Sequence, residues 1–159
     1  MKKSLLYSFI LIVNFLTFNV RAQDAFITTW QTDNSGISSD NQITIPVNSN
    51  YVYNYNIDWG DGNSDNSVNG SITHTYSSPG IYDVSITGDF PSIRFADNQF
   101  TPDTDSDKLI LIKQWGTITW QTFQNAFEGC SNLDVIATDL PDLSNVTSLA
   151  FMFDNCGSL

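Results

Sequence analysis

The chain has little of the residue types from which most active sites are built. Among its 159 residues it has one histidine, His74, and one glutamate, Glu128. Ser-His-Asp catalysis would depend on His74, but the alternation of Ile72, His74 and Tyr76 predicts a packed strand residue. No pair of acids stands in an apolar setting that would raise one pKa for glycoside hydrolysis. We therefore predict no catalytic residues and no enzyme activity.

Positive charge is also scarce, and half of it lies at the start of the chain. Lys2, Lys3 and Arg21 fall within residues 1–22, which contain no acid, so the remainder has three cations against 17 acids and a formal charge of −14. The three remaining cations are scattered along the chain. Such a surface repels phosphate backbones, which excludes nucleic acid as a partner.

Long apolar runs are limited to one, at residues 5–18, and this run is interrupted by Asn14. It is too short to span a bilayer comfortably, and it follows a basic start and precedes a small residue, Ala22. The pattern predicts a secretory signal peptide over residues 1–22, the alternative being a retained membrane anchor. We expect a mature chain without a membrane span, secreted or held on a bacterial cell surface.

The remaining composition favours β-structure. Asp, Asn, Ser, Thr and Gly are abundant, and these residues favour turns or compete with helices. Aromatic residues make up 13% of the chain, which argues against disorder because disordered chains have few large side chains to bury.

Residues 26–88 follow the period of a β-strand, with turn clusters between the segments. The alternation predicts five strands, at 25–30, 42–47, 51–59, 71–76 and 80–88. It also predicts a core that consists of Tyr53, Tyr55, Ile57, Trp59, Tyr82, Val84 and Ile86. Short strands divided by such turns indicate a β-sandwich.

A candidate metal loop begins within this stretch. Asp61, Asn63 and Asp65 occupy positions 1, 3 and 5 of an EF-hand-like loop, but Asn66 stands where glycine is needed and Ile72 where a bidentate glutamate belongs. A complete EF-hand is excluded. A looser calcium site at Asp61, Asn63 and Asp65 is kept as a hypothesis beside a purely structural turn.

A second set of acids, Asp103, Asp105 and Asp107, has the same spacing in the stretch between the two halves of the chain. We interpret this stretch as a solvated joint.

The second half contains a sequence repeat. Residues 126–133 and 152–159 match at their Phe, Cys and Leu positions with a period of 26. A weaker copy can be recognised earlier in the chain, where Ile112 occupies the position that Ile136 has in the following copy. Periods of 20 to 29 indicate leucine-rich-repeat coils, which close their apolar sides by stacking. We expect a short strand around 133–136 and a returning helical or irregular segment at 146–153.

The last coil is only begun at Leu159, so either the sequence is a piece of a longer protein or the coil is completed by a partner. Cys130 and Cys156 occupy equivalent positions on the expected neighbouring coils, which would place their Cα atoms about 5 Å apart. Export permits a disulfide between them, and their parallel orientation favours a ladder of buried thiols.

Three motifs of the first half occur in the order and spacing of one domain family: WGDG at 59–62, HTY at 74–76 and PG-x-Y-x-V at 79–84. On these motifs, the stretch 23–100 resembles the PKD-type (polycystic kidney disease) immunoglobulin-like domain. The resemblance implies a β-sandwich that acts as a spacer or cap.

The second half resembles the BspA-type leucine-rich repeats of bacterial surface proteins, in which MF-x-x-C-x-x-L recurs in every coil. Residues 152–159 fit this motif fully, and residues 126–133 fit apart from Ala126. Those proteins usually carry more copies. The resemblance implies an exported protein that binds or adheres, with no catalytic residues to transfer.

The expected fold is mostly β, with a signal peptide at 1–22, a PKD-like β-sandwich at 23–100 and an incomplete leucine-rich-repeat solenoid of α/β coils at 101–159. The expected function is non-catalytic adhesion or recognition of a protein or polysaccharide, with no cofactor beyond the hypothetical calcium. The alternatives are a non-catalytic accessory region of a larger exported hydrolase and a structural stalk. Trp30, Trp115 and Trp120 are candidates for stacking on sugars, although Trp115 and Trp120 also suit the cover of the first coil.

Overall fold

A computed structural model describes residues 24–95 and 104–159. The predicted signal peptide at 1–22 lies outside these ranges. The described residues form β-strands, turns and one 3-10 helix, Ser106–Lys108, and they include no α-helix. No helix in these two ranges has the length and apolar character needed to cross a membrane. The prediction of a mostly β fold is confirmed.

Eight strands lie in the described ranges. They are β1 Phe26–Gln31, β2 Gln42–Ile45, β3 Asn54–Asp58, β4 Ser64–Val68, β5 Ile72–Thr75, β6 Ile81–Asp89, β7 Leu109–Gln114 and β8 Asp134–Val135. All five predicted strands are present, with β2, β3 and β5 shorter than their patterns suggested. Prediction missed β4, because its residues are almost all polar and exposed and give no alternating pattern.

The strands form a β-sandwich-like arrangement of two sheets. Six strands make one sheet in the order β4-β3-β6-β1-β7-β8, and β2 pairs with β5 in the other. The pairs β3-β6, β6-β1 and β1-β7 are antiparallel, whereas β7 and β8 are parallel. This large sheet crosses the predicted boundary between the two halves, since β1 belongs to the first and β7 to the second. The boundary itself, at residue 100, lies outside the described residues.

The core of the sandwich is largely as predicted. Six of the seven predicted residues are almost fully buried, and Tyr82 is half-buried beside them. Four aromatic side chains join this core to the second half: Phe26 stacks on Trp115 at 5.9 Å between ring centroids and meets Trp120 edge-on at 5.1 Å, and Phe90 also packs against Trp120. The two halves therefore share one apolar core.

Residues 109–159 form successive segments that lie side by side. Ile112 on β7 pairs with Val135 on β8. The sequence repeat placed Ile136 at the position equivalent to Ile112, whereas in the structure Val135, one residue earlier, lies opposite Ile112. At the end of β8 the N–H groups of Ile136 and Ala137 both donate to the carbonyl of Ile112, and the regular pairing stops there.

Beyond β8, residues 147–158 run beside residues 121–131 without forming a strand or a helix. Four backbone hydrogen bonds of 2.8–2.9 Å join them, from the N–H groups of Phe123, Asn125, Phe127 and Gly129 to the carbonyls of Ser148, Ala150, Met152 and Asp154. The α part of the predicted α/β coils is therefore wrong in the described residues. Left-handed residues interrupt this segment, and the backbone bonds with its neighbour replace those of a helix.

Candidate functional site

The hypothetical calcium residues lie in the β3–β4 hairpin. Asp61 and Asn63 are in the turn and Asp65 is on β4. The Asp61 carboxylate accepts hydrogen bonds from the backbone and the side chain of Asn63, at 3.0 and 2.9 Å. Asp65 Oδ2 instead accepts the indole N–H of Trp59 at 2.8 Å.

These bonds engage both carboxylate oxygens of Asp61 and one of Asp65. The described part of the chain has no group of three Asp, Glu, His or Cys side chains arranged to hold a metal. Calcium binding at Asp61, Asn63 and Asp65 would require Asp61 to exchange its bonds from Asn63 for the ion. The calcium site stays a prediction, and the geometry described is that of a turn closed by its own side chains.

His74, on β5, belongs to the packing of the same end of the sandwich. Its ring stacks on Trp59 at 4.6 Å and 8°, and meets Tyr76 edge-on at the same distance. Its Nε2 lies 2.9 Å from Asp61 Oδ2, and both side chains are 14% exposed. Partial burial alone would raise the pKa of Asp61, but hydrogen bonds from His74 and Asn63 together outweigh it and lower that pKa to about 2. His74 thus fastens β5 to the hairpin, as its place in the strand predicted.

The interpretation of residues 103–107 as a solvated joint is wrong for Asp105. Its carboxylate is buried and accepts the backbone N–H groups of Ser38 and Thr44, at 3.0 and 2.7 Å. Asp107 also has partners, since its carbonyl accepts the side-chain amides of Asn34 and Asn132. Asp103 lies outside the described residues. Asp105 and Asp107 thus join the segment before β7 to residues 34–44 and to Asn132.

Lys108 is a buried charged residue that the sequence pattern did not indicate. It is fully buried, and its Nζ lies 2.8–3.0 Å from four oxygens of one loop, the carbonyls of Ser38, Ser39 and Gln42 and the Ser38 hydroxyl. Asp105 lies 3.9 Å away. Burial lowers the pKa of Lys108, and the negative charge of Asp105 opposes that change.

The two cysteines do not form a nucleophilic site. Both are free, and the Cys156 thiol donates to the carbonyl of Phe127 at 3.1 Å. Burial raises the pKa of both thiols, which leaves little of the reactive thiolate at neutral pH. The two free thiols, Cys130 buried and Cys156 half-buried, agree with the predicted thiol ladder and not with a disulfide.

The predicted sugar-stacking residues are buried. Trp30 and Trp120 are inaccessible and Trp115 is 5% exposed, so that prediction is wrong. Trp115 packs against Phe123 and Phe127 of the segment that follows β7, at 5.8 and 6.0 Å between ring centroids. A flat aromatic face cannot serve both a core and a ligand.

A concave surface open to solvent lies where the two halves meet, and we call it the junction cleft. It has a volume of about 300 Å³ and is lined by Asp24, Lys113, Gln114, Gly116, Thr117, Thr138, Asp139 and Leu140. Asp139 shapes its wall, because its carboxylate accepts the backbone N–H groups of Trp115 and Gly116. Leu140 is 85% exposed beside it. The cleft thus combines charged groups, hydroxyls and one apolar side chain.

No family model, curated protein or solved structure matches the chain significantly.

Proposed function

We propose that the protein is an exported, non-catalytic adhesion or ligand-recognition protein, in which a PKD-like sandwich covers the start of a BspA-like leucine-rich-repeat solenoid. The observation that carries the proposal is the ladder of four backbone hydrogen bonds between residues 123–129 and 148–154. Coils of a solenoid associate in this way, each through its immediate neighbour.

The backbone conformation supports the same proposal. Asn125 and Phe151 have φ of 56° and 57°, and Gly129 and Asn155 have φ of 78° and 57°. In both pairs the two members are separated by the period of the sequence repeat. A recurrence of rare left-handed positions at the sequence period indicates a repeated structural unit.

The sandwich has the features of a cap for the first coil. β7 adds to the edge of the sandwich sheet, and Phe26 and Phe90 cover the aromatic side chains of the following coil. Terminal coils need such a cover because one of their two apolar sides lacks a neighbouring repeat.

The junction cleft is the surface that we propose for ligand contact. Its mixture of carboxylates, hydroxyls and exposed Leu140 suits a protein or polysaccharide better than a small apolar molecule, which needs an enclosed pocket. With no exposed tryptophan at the cleft, hydrogen bonds would provide most of the specificity.

The experiment is a binding screen of the chain against glycans and against extracellular-matrix and host proteins. We expect a ligand whose binding is weakened about tenfold or more by Leu140→Asp, which adds charge to the cleft, and not by Val52→Asp on an exposed site of the sandwich. Equal effects of the two variants would contradict the cleft. A screen that stays blank would favour a structural stalk.

A further inference from the structure

The turn between β4 and β5 contains the single Asn-Gly pair of the chain, Asn69-Gly70. The Cγ atom of an asparagine is open to attack by the backbone nitrogen of the following residue, because the product is an unstrained five-membered ring. A following glycine favours this attack most, since without a Cβ its nitrogen reaches the conformations that ring closure needs. Whether the reaction proceeds in the folded protein depends on what surrounds the pair.

The structure leaves this pair unrestrained. Asn69 is exposed, and neither its side chain nor the Gly70 N–H has a hydrogen-bond partner in residues 24–95 and 104–159. A Cβ on Gly70 would meet nothing within 4 Å. The attacking nitrogen and the Asn69 amide therefore have both the space and the freedom to meet.

The fold restrains the four Asn-Ser pairs, which are the next most reactive sequences of this kind. In Asn66-Ser67 the attacking nitrogen is engaged, since the Ser67 N–H donates to Asn56 Oδ1 at 3.1 Å. In Asn63-Ser64 the leaving group is held, since Asn63 Nδ2 donates to Asp61 Oδ2 at 2.9 Å. The other two pairs are restrained by a hydrogen bond from Asn34 Nδ2 to the carbonyl of Asp107 and by the burial of Asn48.

We propose that Asn69 is a site of spontaneous deamidation and that its isoaspartate product loosens strand β4. The Gly70 nitrogen, after losing its proton to base, attacks Asn69 Cγ and forms a C–N bond. The C–N bond of the side-chain amide breaks, and its nitrogen leaves as ammonia. Water then opens the ring: attack at Cγ gives aspartate, and attack at the main-chain carbonyl carbon gives isoaspartate, in which the main chain runs through Cγ. The net change takes up one water and releases one ammonia.

Tyr55 holds the chain on both sides of Asn69. Its backbone pairs with Val68, and its hydroxyl donates to the carbonyl of Gly70 at 2.8 Å. Isoaspartate inserts a methylene carbon into the main chain between these two contacts, so Val68 and Gly70 cannot both keep their places. Because β4 is the edge strand of the large sheet and pairs only with β3 there, we expect its pairing to weaken.

The test ages the purified protein in mildly alkaline buffer and follows its chymotryptic peptides by mass spectrometry. Cleavage after Trp59 and Tyr76 gives residues 60–76, a peptide that contains Asn63 and Asn66 as internal controls for Asn69. Each deamidation adds about 1 Da, and electron-transfer fragmentation assigns it to a residue and distinguishes isoaspartate from aspartate. A synthetic peptide of residues 60–76 provides the reference rates for an unfolded chain.

We expect Asn69 to react in the folded protein within about tenfold of its rate in the peptide, with isoaspartate as the larger product. Asn63 and Asn66 should react more than about tenfold slower in the folded protein than in the peptide. Gly70→Ala is the matched variant, since its Cβ meets no atom within 4 Å and the fold should persist. It should slow the reaction at Asn69 about tenfold or more.

The consequence for β4 is tested on the deamidated protein, separated by anion exchange, against the variant Asn69→Asp. This variant carries the same added charge without the inserted carbon. We expect backbone amides of residues 64–68 to exchange about tenfold faster in the aged protein than in Asn69→Asp, as followed by NMR. Amides of β1 and β6 should exchange equally in the two.

Three results would overturn the proposal. They are a rate at Asn69 more than about tenfold below that of the peptide, reaction of Asn63 or Asn66 as fast as that of Asn69, and equal exchange of β4 in the aged protein and Asn69→Asp. The reaction needs only water and base, so a blank ligand screen would contradict the proposed function and leave the modification standing.

Discussion

At the scale of single residues, two lysines of the same sheet region have opposite environments. Lys108 is fully buried among four oxygens of residues 38–42, beside Asp105. Lys113 forms a 2.8 Å ion pair with Asp83, but 40% of its side chain is exposed. Removal of one partner from a buried charged group costs far more than loss of a surface pair, because the remaining groups stay desolvated.

We expect Lys108→Met to destabilise the protein by about 3–5 kcal/mol. The change removes the positive charge beside the buried Asp105 carboxylate and the ammonium hydrogen bonds to three carbonyls. The matched control, Lys113→Met, should cost about 1 kcal/mol or less. Urea unfolding of both variants measures the difference, and similar losses in the two would contradict the described burial of Lys108.

Asp61 gives a second prediction at this scale, on pH. Its pKa is lowered from 3.8 to about 2 in the folded protein, so its ionised form stabilises the fold. This stabilisation is fully present above the unfolded-state pKa of 3.8 and is lost as the pH falls through about 2. Because Asp61 belongs to a solvent-exposed turn, where water screens its charge, this stabilisation should amount to about 1 kcal/mol or less.

The measurement compares the free energy of unfolding of the wild type and Asp61→Asn between pH 6 and pH 2. We expect the two curves to converge as the pH falls. A difference that stays constant over this range would show that the charge of Asp61 is not responsible.

At the scale of elements, the β3–β4 hairpin depends on two glycines with different surroundings. Gly60 and Gly62 have φ of 76° and 90°, so both disfavour a side chain. A Cβ on Gly60 would also collide with the carbonyl oxygen of Asp83, whereas one on Gly62 would meet nothing within 4 Å. The first glycine of the WGDG motif thus lets the hairpin lie against β6.

We expect Gly62→Ala to cost about 1 kcal/mol, from backbone strain alone. Gly60→Ala should cost about 1–3 kcal/mol more, because the backbone of β6 must also move. Thermal unfolding of the two variants tests the prediction. Equal losses would mean that the hairpin and β6 do not approach as closely as described.

At the scale of the whole molecule, the two predicted parts share a sheet and a core. β7 pairs with β1, and Trp115 packs against both Phe26 of the first part and Phe127 of the second. A contact of this kind should make the unfolding of one part expose the apolar surface of the other. The two parts are therefore expected to unfold together.

We predict one calorimetric transition, in which the calorimetric and van't Hoff enthalpies agree. Trp115→Ala should lower the temperature of that single transition, since it removes about 3–5 kcal/mol of packing shared by the two parts. Two separate transitions in the wild type, or a variant in which only one part loses stability, would contradict this prediction.

The sequence alone determined the features that depend on local order along the chain. Alternation predicted the buried side of β3 and β6, because successive side chains of a strand point to opposite faces. The sequence repeat predicted the equivalence of Phe127 and Phe153, whose rings stack in the structure. It could not predict β4, whose polar residues form a strand only because β3 offers them an edge.

The tertiary structure alone decided which polar groups are buried. The sequence around Lys108 has the pattern of a solvated joint. Lys108 is nevertheless buried, because its ammonium group donates to carbonyls of a loop much earlier in the chain, at residues 38–42. In the same way, the aromatic residues Trp30, Trp115 and Trp120 are core and not surface because the two halves share one sheet. Local patterns specify strands and repeats, whereas burial of a charge depends on partners that only the folded chain brings together.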